Sequence, residues 1–150
     1  MFRGITNLNL DAKGRMAMPA RYRDRLMESC QGRLVITIDR DGCLLVYPLP
    51  VWERIEEALV SRPNMDRKTR RMQRLLVGHA TECELDGQGR ILLPTPLRDY
   101  AGLDKRAVLV GQGKKFELWD EDAWTRSRDA WLQEEDEDGD PSSTLESLVL

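Results

Sequence analysis

A ten-residue phrase occurs twice in this chain. Leu10-Asp11-Ala12-Lys13-Gly14-Arg15-Met16-Ala17-Met18-Pro19 returns 75 positions later as Leu85-Asp86-Gly87-Gln88-Gly89-Arg90-Ile91-Leu92-Leu93-Pro94. Arg23-Asp24 falls on Arg98-Asp99 at the same spacing. Further on, Tyr47 and Trp52 answer to Trp119 and Trp124 at a spacing of 72, so the second copy is three residues shorter in its middle. Self-similarity at a fixed period marks one supersecondary unit used twice. With 150 residues to share, each unit buries too little surface to stand alone. The two must lean on each other or on further subunits.

Both copies carry the same local chemistry. Ile5, Leu8 and Leu10 read as a strand, and Asp11 to Gly14 supplies a turn: an acid able to bond nearby backbone, then a glycine free to take positive φ. Arg15 to Met18 returns as a short strand, so the segment predicts a β-hairpin. Pro19 suits the start of a brief helix with Tyr22, Leu26 and Met27 on its apolar face. Leu34, Ile36 and Ile38 alternate, Asp41-Gly42 turns, and Cys43 to Tyr47 returns, which predicts a second hairpin. Pro50 opens a helix carrying Trp52, Ile55 and Leu59. In the second copy Val108 to Val110, a turn at Gln112-Gly113, Phe116 to Trp119 and a helix with Trp124 and Trp131 repeat the plan.

So many short strands leave many open edges, and closing them into a small pseudo-symmetric barrel with helices outside is the expected remedy. The fold class is thus mostly β with short helices, α+β. The reading divides the chain into a first repeat over 5–52, a helical linker over 53–80 and a second repeat over 81–124. The remainder, 125–150, holds the end of a C-terminal helix and an acidic tail predicted to be largely disordered, with Leu145, Leu148 and Leu150 as docking candidates.

Charge is unevenly spread. Residues 1–27 hold Arg3, Lys13, Arg15, Arg21, Arg23 and Arg25 against Asp11 and Asp24, whereas residues 132–150 hold seven acids and no base. The overall −3 therefore hides a body of +4. Cys30, Cys43 and Cys83 are odd in number and far apart, with one histidine, so no disulfide frame, metal site or cofactor site is expected. The longest apolar runs are too short to span a bilayer, and the N-terminus does not read as an export signal. A cytoplasmic protein, with neither a membrane partner nor a small-molecule substrate, is the expectation. Lys13-Gly14 lacks the flanking residues of a phosphate loop, and Asp11 and Asp86 sit in cationic turns without a nucleophile, so no catalytic residues and no enzyme are expected. His79 reads as structural, and the tryptophans as core or subunit contacts.

Several stretches resemble the MraZ family, within the wider AbrB-like swapped-hairpin group of transcription factors. They are Met1-Phe2-Arg3-Gly4, Leu10 to Arg15 with Pro19-Arg21-Tyr22-Arg23, Cys43 to Pro50 with Trp52, Arg74 to Ala80, Asp86-Gly87-Gln88-Gly89-Arg90 and Lys115 to Trp119. The likeness covers about residues 1–131 in unbroken order and says nothing of the tail. It implies two AbrB-like swapped-hairpin repeats and a ring-like homo-oligomer associated with the nucleoid. It further implies binding to repeated short elements upstream of the division and cell-wall gene cluster, as a repressor that also acts on its own promoter. The Asp-x-x-x-Arg turns, Asp11 with Arg15 and Asp86 with Arg90, would face double-stranded DNA.

Elementary chemistry sorts the candidate DNA-binding residues into roles. Arg15 and Arg90 can read guanine through two parallel hydrogen bonds, and Lys13 and Arg3 can neutralise phosphate. Asp11 and Asp86 would brace the turns, while Gly14 and Gly89 would let backbone come close. Gln88 stands where the first copy has Lys13, which makes the two turns electrostatically unequal. The basic linker face from Arg67 to Arg74 fits a solvated helix, an ion-paired one or a DNA contact. An oligomeric protein-interaction scaffold without specific DNA binding is the rival reading, since basic tips also suit acidic proteins.

Overall fold

In the computed structural model residues 1–63, 66–138 and 148 are described. Residues 134–138 of the acidic block close the last helix, while the rest of the tail, with Leu145 and Leu150, lies outside the described residues apart from Leu148, which is exposed. Among the described residues eight strands and five α-helices of several residues each follow one another. The strands are β1 (Phe2–Asn9), β2 (Arg15–Ala17), β3 (Arg33–Ile38), β4 (Leu44–Pro48), β5 (Thr81–Glu84), β6 (Arg90–Leu92), β7 (Arg106–Gly113) and β8 (Lys115–Asp120). The helices are α1 (Ala20–Cys30), α2 (Leu49–Val60), α3 (Arg67–Met72), α4 (Thr95–Ala101) and α5 (Glu121–Asp138). Gln73–Val77 continues α3 as a π-helical turn. Among the described residues no helix is long and apolar enough to cross a membrane.

The mixed α+β class holds, but the closed barrel does not. Six strands form one antiparallel sheet in the order β1-β7-β8-β4-β3-β5, whose ends β1 and β5 do not pair; β2 and β6 form a separate two-stranded ribbon. The first hairpin of each copy also differs from expectation. The turn after β1 forms, yet β1 ladders with β7 and β2 with β6, while β5 ladders with β3. Each copy lends its arms to the other. Exchange between the two half-size units thus takes the place of closure and leaves one edge each on β1 and β5 of the six-stranded sheet among the described strands.

The exchange is pseudo-symmetric. Met16 pairs with Ile91, its own counterpart 75 residues on, flanked by Arg15 with Leu92 and Ala17 with Arg90. A local two-fold axis therefore passes between Met16 and Ile91. Both are fully buried. They sit over one face of the large sheet in a core shared with Leu34, Ile36, Leu44, Val46, Leu109 and Leu118, and with Leu26 of α1 and Leu97 of α4. Phe2, Tyr22 and Phe116 stack in the same core with ring centroids 4.4–5.7 Å apart, tying the N-terminus to α1 and to β8.

The other sheet face carries a smaller cluster of Val35, Leu45, Tyr47 and Trp52, with Leu76 and Val77 of the π-helical turn against it. That second cover explains why β3 and β4 are buried on both faces rather than alternating. Thr37 is the one polar residue fully buried there among the described residues, and its Oγ1 donates to the Leu76 carbonyl at 2.6 Å.

Smaller expectations also shift. α1 buries Tyr22, Leu26 and Cys30 and leaves Met27 exposed, because the i, i+4, i+8 stripe is the one facing the sheet. The β7–β8 connection turns at Gly113-Lys114, one residue later than read, since Gln112 still pairs with Lys115. Residues Met1–Asp120 make one compact unit and the rest of the chain another. Within the latter, α5 opens on Glu121 and Asp122, which favour a helix N-terminus, and Trp124 packs edge-on to Trp131 at 6.0 Å.

Candidate nucleic-acid interface

The two repeated turns are near-copies in three dimensions. Asp11 Oδ1 accepts from the backbone N–H groups of Lys13 at 3.0 Å and Arg15 at 2.8 Å, and its Oδ2 accepts from Arg15 Nε at 2.6 Å. In the second turn Asp86 Oδ1 accepts from Gln88 at 2.8 Å and Arg90 at 2.9 Å, and its Oδ2 from Arg90 Nε at 3.1 Å. The backbone closes each loop as well, Asp11 N–H onto the Arg15 carbonyl and Asp86 N–H onto that of Arg90. Both carboxyls are held below their ordinary value, chiefly by the backbone N–H of Arg15 and Arg90 respectively. They remain anions and keep their arginines oriented.

Each ion pair uses only the arginine Nε. Among the described residues no partner takes the terminal amino groups of Arg15 or Arg90, whose side chains stay about one-third exposed at 28 % and 30 %. Those are the groups a bidentate guanine contact needs. Since Met16 and Ile91 point inward, Arg15, Ala17, Arg90 and Leu92 share the outer face of the ribbon. Strand geometry puts Arg15 and Arg90 about 8 Å apart on it.

What aligns the turns is a crossed brace that sequence reading missed. The Arg98 guanidinium of α4 lies over Gly14 of the first turn, and Arg23 of α1 lies over Gly89 of the second. Gly14 and Gly89 are buried at φ +84° and +75°, and a side chain on either would occupy the arginine's place. Arg98 is fixed by Nε to the Leu93 carbonyl at 3.0 Å and by Nη2 to Thr95 Oγ1 at 3.0 Å; Arg23 reaches the Met18 carbonyl at 3.0 Å. The glycine carbonyls complete the exchange: Gly14 accepts from Leu93 N–H and Gly89 from Met18 N–H. The signal was present in the repeat, where Arg23-Asp24 matches Arg98-Asp99. Nothing in one dimension says that each arginine serves the other copy's turn.

The remaining candidates spread out. Lys13 and Gln88 sit exposed at the two tips. Arg3 lies seven residues back along β1 from Leu10, roughly 23 Å of strand, so it is not gathered with the turns. His79 is exposed, its Nδ1 2.8 Å from the Leu75 carbonyl. Asp39, Cys43 and Glu117 bring their ligand atoms within 4.8 Å of one another, a convergence the sequence did not suggest. Burial, then Glu117 and Asp39, push the Cys43 thiol far above its ordinary range, so it stays protonated.

Two interleaved repeats, each offering a carboxylate-braced arginine turn on a shared ribbon, define a class of small two-repeat α+β proteins. A family model described as "MraZ protein, putative antitoxin-like" matches residues 1–75 and again 76–144. The chain is 80% identical over 150 residues to the protein named Transcriptional regulator MraZ of Thioalkalivibrio sulfidiphilus, covering all of both chains. It is 60% identical over 151 residues to that of Alkalilimnicola ehrlichii and 55% over 151 residues to that of Pseudomonas aeruginosa, again over the whole of each. The chain belongs to the MraZ family.

Proposed function

We propose that this protein is a transcriptional regulator that holds double-stranded DNA with the β2–β6 ribbon and its two turns. The reading is carried by one observation: Arg15 and Arg90 are each oriented by an aspartate through Nε alone, leaving the terminal amino groups free on one outer face. A two-stranded ribbon fits a major groove about 12 Å wide. Arg15 and Arg90 meet bases, Lys13 meets phosphate, and Gln88 makes the second turn the weaker anchor. Arg3, at the far end of β1, can serve only a more distant phosphate.

One ribbon per chain gives few contacts, and affinity grows with the number of phosphates neutralised together. A ring-like homo-oligomer on repeated promoter elements multiplies them. β1 supports assembly: it is an edge strand with Ile5 56% exposed. The regulon implied by the family likeness, the division and cell-wall cluster with the protein's own promoter, fits a cytoplasmic, nucleoid-associated repressor.

The test is fluorescence anisotropy with promoter and scrambled duplexes over a salt series. Arg15→Ala is expected to lower promoter affinity about 5- to 150-fold, the equivalent of the 1–3 kcal/mol carried by a bidentate arginine–guanine pair, with assembly mass unchanged. Arg90→Ala follows in the same direction. Undiminished promoter binding by both variants overturns the assignment, and a wild type that assembles but ignores duplex leaves the scaffold reading standing.

A further inference from the structure

The ribbon leaves unused the strongest concentration of positive charge in the described residues. Arg67, Arg70, Arg71 and Arg74 recur at i, i+3, i+4 and i+7, one face of α3 running into the π-helical turn, and together they line a surface recess of about 290 Å³. All four are exposed, and none is ion-paired within the described residues. The acid beside them, Asp66, is occupied as the helix cap: Oδ1 takes Lys68 N–H at 3.1 Å and Oδ2 takes the Thr69 hydroxyl at 3.3 Å.

Like charges three and four residues apart destabilise a helix, and here four such pairs stand on one face. The segment is nonetheless anchored. Gln73 Nε2 donates to the Leu59 carbonyl at 2.8 Å, Thr37 Oγ1 donates to the Leu76 carbonyl, and Leu76 and Val77 pack on the Val35–Trp52 cluster. A repulsive stripe held rigidly in place is matched by a multivalent anion.

We propose that this stripe binds the backbone phosphates of nucleic acid without regard to sequence, and that it takes a different stretch of DNA from the one at the ribbon. Position carries the second half: Leu76 and Val77 of the π-helical turn pack on the cluster at one face of the large sheet, whereas Met16 and Ile91 of the ribbon lie in the core at the opposite face, which Leu75 of the turn also touches. Chemistry carries the first. The recess is lined by arginines alone, with no apolar anchor of the kind that centres a protein interface. Guanidinium forks suit phosphate oxygens, and from Arg67 to Arg74 the stripe runs about 10 Å, the rise of three phosphates on one strand. Only the "different stretch" rests on the ribbon reading; phosphate binding by the stripe stands by itself.

The experiment uses the full chain carrying Arg67→Gln, Arg70→Gln, Arg71→Gln and Arg74→Gln together, with the matching fourfold Lys variant as a charge-retaining control. Helicity and light-scattering mass are checked for both. For random-sequence duplex the Gln variant is expected to lose at least about ten-fold in affinity at low salt, with the log–log salt slope shallower by about three. Its preference for promoter over random duplex stays intact, and the Lys variant recovers most of the loss. Affinity within two-fold of wild type and an unchanged slope overturn the proposal. So does poly-glutamate bound to wild type as tightly as duplex of equal charge, which makes the stripe a carboxylate surface for acidic protein. Failure of the ribbon reading shows separately, as promoter preference that survives Arg15→Ala.

Discussion

Replacing Gly14 by alanine is a small change with a large expected cost. The residue sits at φ +84°, and its added Cβ would lie 2.5 Å from the Arg98 guanidinium. Left-handed backbone costs a non-glycine residue about 1–2 kcal/mol. Arg98 must also leave its place, and the bonds from Nε to the Leu93 carbonyl and from Nη2 to Thr95 Oγ1 go with it. Each is worth about 0.5–1.5 kcal/mol net, so Gly14→Ala should destabilise by about 2–5 kcal/mol. The assay is urea unfolding at fixed protein concentration, followed through the buried tryptophans Trp52 and Trp119. Gly87→Ala is the control, because nothing lies within 4 Å of a Cβ there and φ is not positive. It should change stability by less than about 0.5 kcal/mol. The crossed brace makes a sharper demand. Arg98→Ala removes the obstacle, so the double variant should be more stable than the two single costs predict, by about 1 kcal/mol or more. Strict additivity, or a Gly14→Ala protein indistinguishable from Gly87→Ala, refutes the brace.

Two further expectations concern ionisation. Asp11 and Asp86 titrate below 3.8 in the folded protein, so their bracing is complete above that value and is lost only as pH falls through the lowered ones. Carbon-13 NMR of the carboxyls reads this directly, and midpoints at or above 3.8 contradict it. Because the Arg15 backbone N–H outweighs its guanidinium as the cause, Asp11 should remain below 3.8 in Arg15→Ala. The cysteines should be quiet. Burial raises Cys83 to about 11, and Cys43 is raised further by burial together with Glu117 and Asp39. At pH 8 about one Cys83 in a thousand is thiolate, so disulfide-exchange reagents should label both residues far more slowly in the native protein than in urea. Rapid native labelling of Cys43 tells against the buried cluster.

Local chemistry was legible in one dimension. The duplicated Asp-x-x-Gly-Arg phrase specified a turn because aspartate bonds the next amides and glycine accepts positive φ, and both turns form. Tyr22 and Leu26, Leu34 and Ile36, and Trp52 announced their buried faces by spacing alone. Less legible was which strand meets which. A hydrogen-bonding edge carries no address, so β1 and β2 read as partners although each ladders with the second copy. The same blindness hid Arg23 and Arg98, which look like ordinary surface cations until each lies over the other copy's glycine.

By itself, then, the order of residues determined two copies of one unit, their turns, their strands and the alternation that marks an interior. Tertiary structure alone decided that the copies trade arms around the Met16–Ile91 pair, leaving an open sheet with a ribbon in place of a barrel. The reason is physical. Turn geometry is set by interactions within four or five residues, whereas pairing is a competition among all available edges, won by the arrangement that buries both copies' apolar faces at once.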